Sequence, residues 1–366
     1  MFYEFFKCLN CLQACGNILF RALGACFTSM LIGVSLSPYL IRKLKQLKVK
    51  QSIRIYGPKS HLAKEGIPTM GGLIILISIF VSSFLWVDLN NKYIWIVSVT
   101  MVLFGTIGFF DDFIKVVYKN PDGISAKLKL LLQIISALII AFSVIHTIID
   151  ERPFFSYDLL LPFSRSFSWK IGIITFIFLT VFVIVGTSNA VNLTDGLDGL
   201  VSFPVILVSG SLGIFAYIIG NETYSSILFF PYVNSSDELL VFCAAIIGSV
   251  LAFLWFNVYP ATVFMGDVGS LSLGAALGVI AIIVRQEITL IIMGGIFVVE
   301  AISVMIQVFW FKYSKKRYGV GRRFFKMTPL HHHFEIAGWK ETQVVVRFWI
   351  INIILALISL SSLIIR

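Results

Sequence analysis

The chain has 366 residues, of which 58% are hydrophobic and 13% are charged, and its formal net charge is +10. Soluble domains carry about 25% charged residues and shorter apolar runs. The composition therefore excludes an ordinary soluble enzyme and indicates an integral membrane protein. The basic excess does not indicate nucleic-acid binding, because it is concentrated in alternate loops between apolar runs.

Ten apolar runs are each long enough for a transmembrane helix, which needs about 20 residues to cross roughly 30 Å of hydrocarbon. They are 22–41, 68–87, 93–110, 130–149, 171–189, 200–220, 239–259, 268–284, 288–311 and 348–365. Such continuous runs exclude an outer-membrane barrel, whose strands alternate over about 10 residues. We predict an all-α polytopic membrane protein in which residues 22–366 form one ten-helix domain. Residues 1–21 resemble an interfacial amphipathic helix.

The basic residues predict the topology. Segments 42–64, 111–129 and 312–342 together hold 20 of the 29 Lys and Arg residues. Because basic loops stay in the cytoplasm, the odd-numbered loops are predicted to be cytoplasmic and both termini to lie outside. Anionic lipid headgroups account for most of this charge. Three cysteines that precede the first run are interpreted as incidental thiols: Cys8, Cys11 and Cys15.

The unusual polar motifs all lie on the predicted cytoplasmic side, one from each of five loops. They are KEGIPTMGG (64–72), FFDDFIK (109–115), NAVNLTDGLDGL (189–200), NVYPATVFMGDVGS (257–270) and MTPLHHHFE (327–335). The topology rests on Lys and Arg alone, so this clustering is an independent observation. It predicts a single site at the cytoplasmic membrane boundary, assembled from all five loops.

Five aspartates in these motifs indicate the chemistry: Asp111, Asp112, Asp195, Asp198 and Asp267. Their carboxylates would repel one another without a cation, and such oxygen donors suit Mg²⁺ or Mn²⁺. Mg²⁺ commonly bridges phosphates, so we expect a phosphorylated substrate. Each Asp-Gly pair in 189–200 is also ordinary turn chemistry, and we expect that stretch to form a tight loop between the fifth and sixth runs.

Further candidates are less specific. Lys64 can contact a phosphate, although a solvated lysine is the commoner case, and Asp267 opens the eighth run, where helix amides bind anions. The triplet at 331–333 is predicted to be extended, and its adjacent histidines fit hydrogen bonds to phosphate or sugar better than zinc ligation. Glu300 lies inside the ninth run; either a functional role or a hydrogen bond to a neighbouring helix explains it. Gly294 and Gly295 permit a bend in that run.

Five motifs in this order carry a resemblance: PTMGG, FFDD, NAVNLTDGLDGL, FMGDVGSLSLG and PLHHHFEIAGWKE. They resemble the phospho-N-acetylmuramoyl-pentapeptide transferase family (MraY), among the polyprenyl-phosphate N-acetylhexosamine-1-phosphate transferases. The resemblance implies ten spans with both termini outside. It also implies Mg²⁺ dependence and transfer of phospho-MurNAc-pentapeptide from UDP-MurNAc-pentapeptide to undecaprenyl phosphate, giving lipid I and UMP. The implied setting is the bacterial inner membrane, usually as a homodimer, with lipids and no nucleic acid as partners.

The resemblance also implies residue roles. Asp267 would hold the metal, and Asp111 or Asp112 would either deprotonate the lipid phosphate or attack the diphosphate as nucleophile. Lys127 would lie beside the phosphates, and Phe264 would stack on uracil. The remaining residues that match the nucleotide-sugar pocket are Lys64, Thr69, Asn192, Asp195, Asp198 and Asn257. The residues that would touch the sugar-peptide and phosphate region are His331, His332 and His333.

Three other functions compete with this one. A sister enzyme that transfers GlcNAc-1-phosphate from UDP-GlcNAc would share the aspartate motifs, but PLHHHFE and GWKE favour the muramoyl branch. A cation-coupled transporter would place its site near the bilayer midplane, on inverted repeats; only Glu300 is predicted near a midplane, and we find no repeat. An inactive scaffold is disfavoured by the intact aspartates.

Overall fold

The computed structural model describes residues 17–47, 66–118, 122–151, 157–164 and 168–365. Most of these residues are helical. Lys64 and the three cysteines before the first run lie outside the described residues, so the predictions made for them stay predictions. The same holds for most of the predicted interfacial segment at 1–21.

The described helices are numbered in chain order. They are α1 (Ile18–Gln46), α2 (Gly72–Trp86), α3 (Lys92–Val117), α4 (Ala126–Glu151), α5 (Ile173–Thr194), α6 (Ser202–Ile219), α7 (Glu222–Ile227), α8 (Leu239–Asn257), α9 (Gly266–Ile283), α10 (Glu287–Met293), α11 (Gly295–Tyr318), α12 (Leu330–Ile336) and α13 (Glu341–Ile365). A 3-10 turn at Ser236–Glu238 precedes α8. One short antiparallel hairpin pairs β1 (Leu159–Leu160) with β2 (Ser168–Trp169).

The prediction of an all-α polytopic membrane protein is confirmed. Among the described residues, nine helices are long and apolar enough to cross a membrane. The apolar helix α2 is shorter, with 15 residues. Every predicted run contains a described helix, while ten crossings and the orientation of the termini remain predictions.

Helix α9 forms the centre of the bundle. Every side chain from 268 to 284 is buried, and α9 packs against α3 and α5. A second layer forms where α8 packs against α1 and α6. A helix that is apolar on all sides is expected at such a buried position. The start of α9 therefore brings Asp267 to the end of the bundle where α3 and α5 finish.

Several boundaries differ from the expectations. The tight loop expected over 189–200 is wrong for its first half, because α5 continues to Thr194. Its amides are satisfied inside the bundle, since Asn189 Nδ2 donates to Gln133 Oε1 at 2.8 Å, so the helix has no reason to end there. Helix α3 likewise passes the aspartate pair and ends at Val117. The ninth run is interrupted at Gly294, which separates α10 from α11, at the bend that the two glycines permit.

Buried ion pairs fasten the opposite end of the bundle. The Arg21 guanidinium makes a two-pronged contact with the Glu238 carboxylate, with N–O distances of 2.9 and 2.5 Å. This pair joins the start of α1 to the turn before α8. The Arg285 Nε lies 3.5 Å from Glu287 Oε1 where α9 ends and α10 begins. Both pairs lie at the end of the bundle that is opposite to Asp267.

Candidate active site

Two helices that carry aspartates, α3 and α9, cross in close contact. A Cβ atom added at Gly108 would lie 2.2 Å from the Asp267 carbonyl oxygen, so only glycine permits this approach. Asp111 and Asp112 follow Gly108 by three and four residues, which places them on the same side of α3, one turn further on. The glycine thus brings the aspartate pair to Asp267.

Three carboxylates meet at this crossing. One oxygen each of Asp111, Asp112 and Asp267 lies within 4.8 Å of the others. Asp111 and Asp112 are 2% and 4% exposed, so water cannot screen their charges effectively. Asp267 sits in the first turn of α9, where the helix dipole favours a negative charge, and Val268 N donates to Asp112 Oδ2 at 3.3 Å.

Two lysines hold this cluster together. Lys115 Nζ lies 2.5 Å from Asp111 Oδ2 and 3.1 Å from Asp267 Oδ2. Lys129 Nζ, from α4, lies 2.6 Å from the same Asp267 oxygen and 3.5 Å from Asp111 Oδ2. The cluster holds three acidic groups for two ammonium groups, so it offers one carboxyl group more than the lysines balance, and it can accept a further cation.

The cluster fits a hard divalent cation. Its donors are carboxylate oxygens from three residues, the type that Mg²⁺ prefers at about 2.0–2.1 Å. Oxygens already within 4.8 Å of one another need only a small closure to share one ion. Asp267, at the centre of both ammonium contacts, is the first candidate ligand, with Asp111 and Asp112 beside it.

Asn192 connects the fifth helix to the cluster. Its Nδ2 donates to Asp267 Oδ1 at 2.8 Å and to Ser270 Oγ at 2.8 Å. The amide therefore fixes the Asp267 oxygen that the lysines leave free. The predicted site residues Asn192, Asp111, Asp112 and Asp267 are thus assembled in one place.

Asp195 caps the end of α5 beside this cluster. Burial, together with the negative charges of Asp267 and Asp198, raises the pKa of Asp195 to about 7, although a hydrogen bond from the Gly266 backbone amide opposes the rise. Its carboxyl group can therefore hold or release a proton near neutral pH.

Asp198 and Asn257 hold one loop against another. Asp198 Oδ2 accepts a hydrogen bond from Ala261 N at 2.9 Å. Asn257 Oδ1 accepts from Gly199 N at 3.0 Å, and its Nδ2 donates to Val263 O at 2.9 Å. Both side chains are buried, so in this structure they shape the 258–265 loop.

The PTMGG motif pairs with that same loop. Phe264 N donates to Pro68 O at 2.9 Å, and Gly71 N donates to Phe264 O at 2.8 Å. Thr69 is buried within this contact, and the Phe264 side chain is half-buried. The pairing fixes Thr69 and Phe264 beside the start of α9.

The histidine triplet lies on a helix, so the expected extended segment is wrong. Helix α12 carries all three residues. His331 is fully buried, and its Nε2 would lie 2.2 Å from a Cβ atom added at Gly196. His332 Nδ1 is 2.8 Å from Glu335 Oε2. Gly196 is therefore the second glycine, after Gly108, on which the site depends. Because it has no side chain, the histidine helix can pack on the turn after α5.

Glu300 explains why this helix forms. Its carboxylate accepts hydrogen bonds from Leu330 N at 2.6 Å and His331 N at 3.1 Å. Helix N-terminal amides lack partners within their own helix, and Glu300 supplies these from α11. Of the two explanations open for Glu300, the hydrogen bond to a neighbouring helix is the one observed.

Lys115 and Lys129 were not identified as site residues from the sequence. Lys127 lies exposed, whereas Lys129, two residues further on, reaches Asp267. Lys129 and the buried Gln133 are four residues apart and share the inward face of α4, but only the packing of α4 identifies that face. Lys115 could have been found from its position four residues after Asp111 on a helix.

Comparison with known families gives two matches. The model for glycosyl transferase family 4 matches residues 94–285, just over half of the chain. Phospho-N-acetylmuramoyl-pentapeptide-transferase signature 1 matches residues 64–76. The first match spans the aspartate pair, the 189–200 motif and Asp267, and the second spans PTMGG.

Proposed function

This chain belongs to glycosyl transferase family 4, and from that premise we propose that it transfers phospho-MurNAc-pentapeptide from UDP-MurNAc-pentapeptide to undecaprenyl phosphate. The products are lipid I and UMP, and the reaction is the first membrane step of peptidoglycan synthesis. The signature match at 64–76 favours the muramoyl branch. The observation that carries the proposal is the cluster of three carboxylates, two of them buried, which lies beside Thr69 of that motif.

The reaction replaces one phosphate bond by another. An oxygen of the lipid phosphate bonds to the phosphorus that carries the sugar, the bond from that phosphorus to the bridging oxygen breaks, and UMP leaves. A bound Mg²⁺ would neutralise charge on the diphosphate. Lys115 and Lys129, which already touch Asp267, supply positive charge that lowers the repulsion between the two anionic substrates.

Asp111 and Asp112 supply the group that acts on the lipid phosphate or on the diphosphate. In one scheme, a carboxylate takes the proton of the lipid phosphate; in the other, it attacks phosphorus and forms a phospho-aspartate. Incubation with donor alone separates them. The second scheme releases one UMP per site before any lipid is added, and the first releases none.

The other predicted residues form the donor side of the site. Asn192, Asp195 and Asp198 lie on the α5 end and its turn, and Phe264 is held beside the start of α9. We infer that Phe264 stacks on uracil and that the histidine triplet contacts the sugar-peptide. We propose, from the resemblance, that Lys64 and Lys127 contact phosphate groups of the substrates.

An apolar groove beside the site can hold the lipid tail. The groove of about 480 Å³ lies between α11 and α13, and its lining includes Ile296, Val299, Phe348 and Leu355. It starts at Gly295, just past the break between α10 and α11. If the tail binds here, acceptors with shortened tails show a raised KM; equal reaction of short and long acceptors would contradict this.

The first experiment measures UMP release by detergent-solubilised protein with UDP-MurNAc-pentapeptide, undecaprenyl phosphate and Mg²⁺. We expect release that EDTA abolishes and excess Mg²⁺ restores, with Mn²⁺ as a weaker or equal substitute. UDP-GlcNAc is the matched donor control. Release only with UDP-GlcNAc would assign the chain to the sister branch, and release with neither donor would overturn the proposal.

The setting follows from the same premise. We propose that the protein resides in a bacterial inner membrane, as a multi-pass protein with the site facing the cytoplasm. We also infer a homodimer, in keeping with the resemblance. Mass measurement of the detergent-solubilised protein tests the dimer, and cysteine labelling of the 312–342 segment from either side of the membrane tests the orientation.

A further inference from the structure

Helix α11 carries three hydrogen-bond acceptors at intervals of seven residues: Glu300, Gln307 and Ser314. Residues seven apart are close to two helical turns apart and lie on one face. Between Tyr318 and Leu330 the chain reverses and runs back along this face. The three acceptors meet it at successive points.

Five backbone amides of the returning segment bond to these side chains. Arg322 N donates to Ser314 Oγ at 2.8 Å. Phe324 N and Phe325 N both donate to Gln307 Oε1, at 3.1 and 2.9 Å. Leu330 N and His331 N donate to Glu300, as described for α12. These hydrogen bonds form a ladder between α11 and the returning segment. The last hydrogen bonds of the ladder hold the start of the histidine helix.

Ring contacts also hold the returning segment, with Phe324 against Trp310 and Phe325 against His333, and Lys326 N donates to His333 Nδ1 at 3.2 Å. Phe324 is 59% exposed and Val320 is 67% exposed, so apolar burial contributes little there. Helix α12 is only seven residues long, and helices so short are marginal without tertiary contacts. The position of His331 against Gly196 thus depends on the side chains of α11 together with the packing of Phe334 against Phe348.

We propose that Glu300 and Gln307 are positioning residues that place the histidine triplet over the donor side of the site. Neither needs to touch substrate; each acts through backbone amides of the segment that leads into α12, and Glu300 Oε1 also lies 3.2 Å from His331 Nδ1. The kinetic part of this inference rests on the proposed function, whereas the structural part does not. Ser314, at the far end of the ladder, sets only the start of the segment.

The test compares Gln307→Leu with Gln307→Glu, in intact protein in detergent. Leucine removes the acceptor for two amides, while glutamate keeps it. We expect the leucine variant to raise the KM for UDP-MurNAc-pentapeptide on the order of tenfold or more, because about two hydrogen bonds are lost. The glutamate variant should stay near the wild-type value.

Glu300→Ala should have a larger effect than Gln307→Leu, because it frees two amides at the histidine helix itself. The matched control is Gln343→Leu. Gln343 Oε1 also accepts from a backbone amide, Lys340 N, at 3.2 Å, but it lies outside the ladder and is exposed. Its KM for the donor should remain within about twofold, as expected for an exposed position.

A second readout does not depend on turnover. His331 is fully buried in the wild type, so diethyl pyrocarbonate should modify it slowly, as followed by mass spectrometry. Gln307→Leu and Glu300→Ala should accelerate its modification while Gln343→Leu does not. If wild type transfers nothing yet the acceleration is seen, the proposed function fails and the positioning role stands. Unchanged His331 protection in both ladder variants, or an unchanged donor KM in an active enzyme, would overturn the inference.

Discussion

The two ends of the helix bundle both bury charge, but they balance it differently. At the end where α1 begins, one guanidinium pairs with one carboxylate: two nitrogens of Arg21 donate to the two carboxylate oxygens of Glu238. At the other end, three carboxylates share the ammonium groups of Lys115 and Lys129. The first arrangement pairs one cation with one anion, while the second has three acidic groups for two ammonium groups. A balanced buried pair fastens helices, and an unbalanced cluster indicates a site that receives a cation.

The backbone contacts agree with this contrast. Glu238 also accepts from Asp88 N at 3.2 Å, so its carboxylate joins the start of α1, the end of α2 and the turn before α8. Its contacts all serve packing. The Asp267 carboxylate instead accepts hydrogen bonds from two lysines and one asparagine, which lie on three different helices. These contacts do not close a helix end. Substitutions at the two ends should therefore affect different quantities.

The largest effect is expected from Asp267→Asn. It removes the charge that both lysines contact and the leading candidate metal ligand, so turnover should fall by about 10³-fold or more. Binding of Mn²⁺, measured by electron paramagnetic resonance, should be lost with it. Asp237→Asn, at the opposite end, is the matched control and should retain turnover and Mn²⁺ binding. Wild-type Mn²⁺ affinity in Asp267→Asn would remove Asp267 from the metal site.

A pair of lysine substitutions should sharpen the contrast. Lys129→Met removes an ammonium group 2.6 Å from Asp267 Oδ2, and kcat should fall on the order of tenfold to hundredfold. Lys127→Met changes the exposed lysine two residues earlier, and its effect should be mainly on KM. A larger kcat loss for Lys127→Met than for Lys129→Met would show that Lys127, and not Lys129, acts at the reacting phosphates.

A glycine pair tests how α3 is held at Asp267. Gly108→Ala adds a methyl group 2.2 Å from a backbone oxygen, and neither atom can move without separating α3 from α9. We expect a loss of about 1–3 kcal/mol in the free energy of unfolding and a several-fold lower turnover. Gly186→Ala is the control, because a Cβ atom there meets nothing within 4 Å. Equal turnover in the two variants would show that the aspartate geometry tolerates helix displacement.

The helices and the aspartates could be predicted because each depends on local information. Apolar runs report membrane helices directly, and Asp111, Asp112 and Asp267 stand out because carboxylates at the edge of hydrocarbon are costly. Basic residues do not stand out on a basic cytoplasmic face. Choosing Lys129 over Lys127 required knowing which side of α4 faces inward, and that depends on tertiary packing.

The same limit explains the errors in the loops. The fifth helix was predicted to end at Asn189, since asparagine and the Asp-Gly pairs favour turns. In the structure Gln133 and Ser270 satisfy the two asparagines across helices, so α5 continues. The histidine triplet was predicted to be extended, whereas it lies on a seven-residue helix that needs partners from elsewhere in the chain. The carboxylate that caps α12 comes from Glu300, 30 residues earlier.

The smallest effect on turnover is expected from Glu238→Gln. The amide leaves the buried Arg21 guanidinium without its anionic partner, and such losses cost about 3–5 kcal/mol of stability. Thermal unfolding in detergent should therefore shift clearly downward, while kcat of the folded fraction stays within about twofold of wild type, because this end of the bundle contributes no group to the aspartate cluster. If kcat instead falls as far as in Lys129→Met with the protein still folded, the two ends are coupled through α9, and the division between a fastening end and a reacting end is wrong.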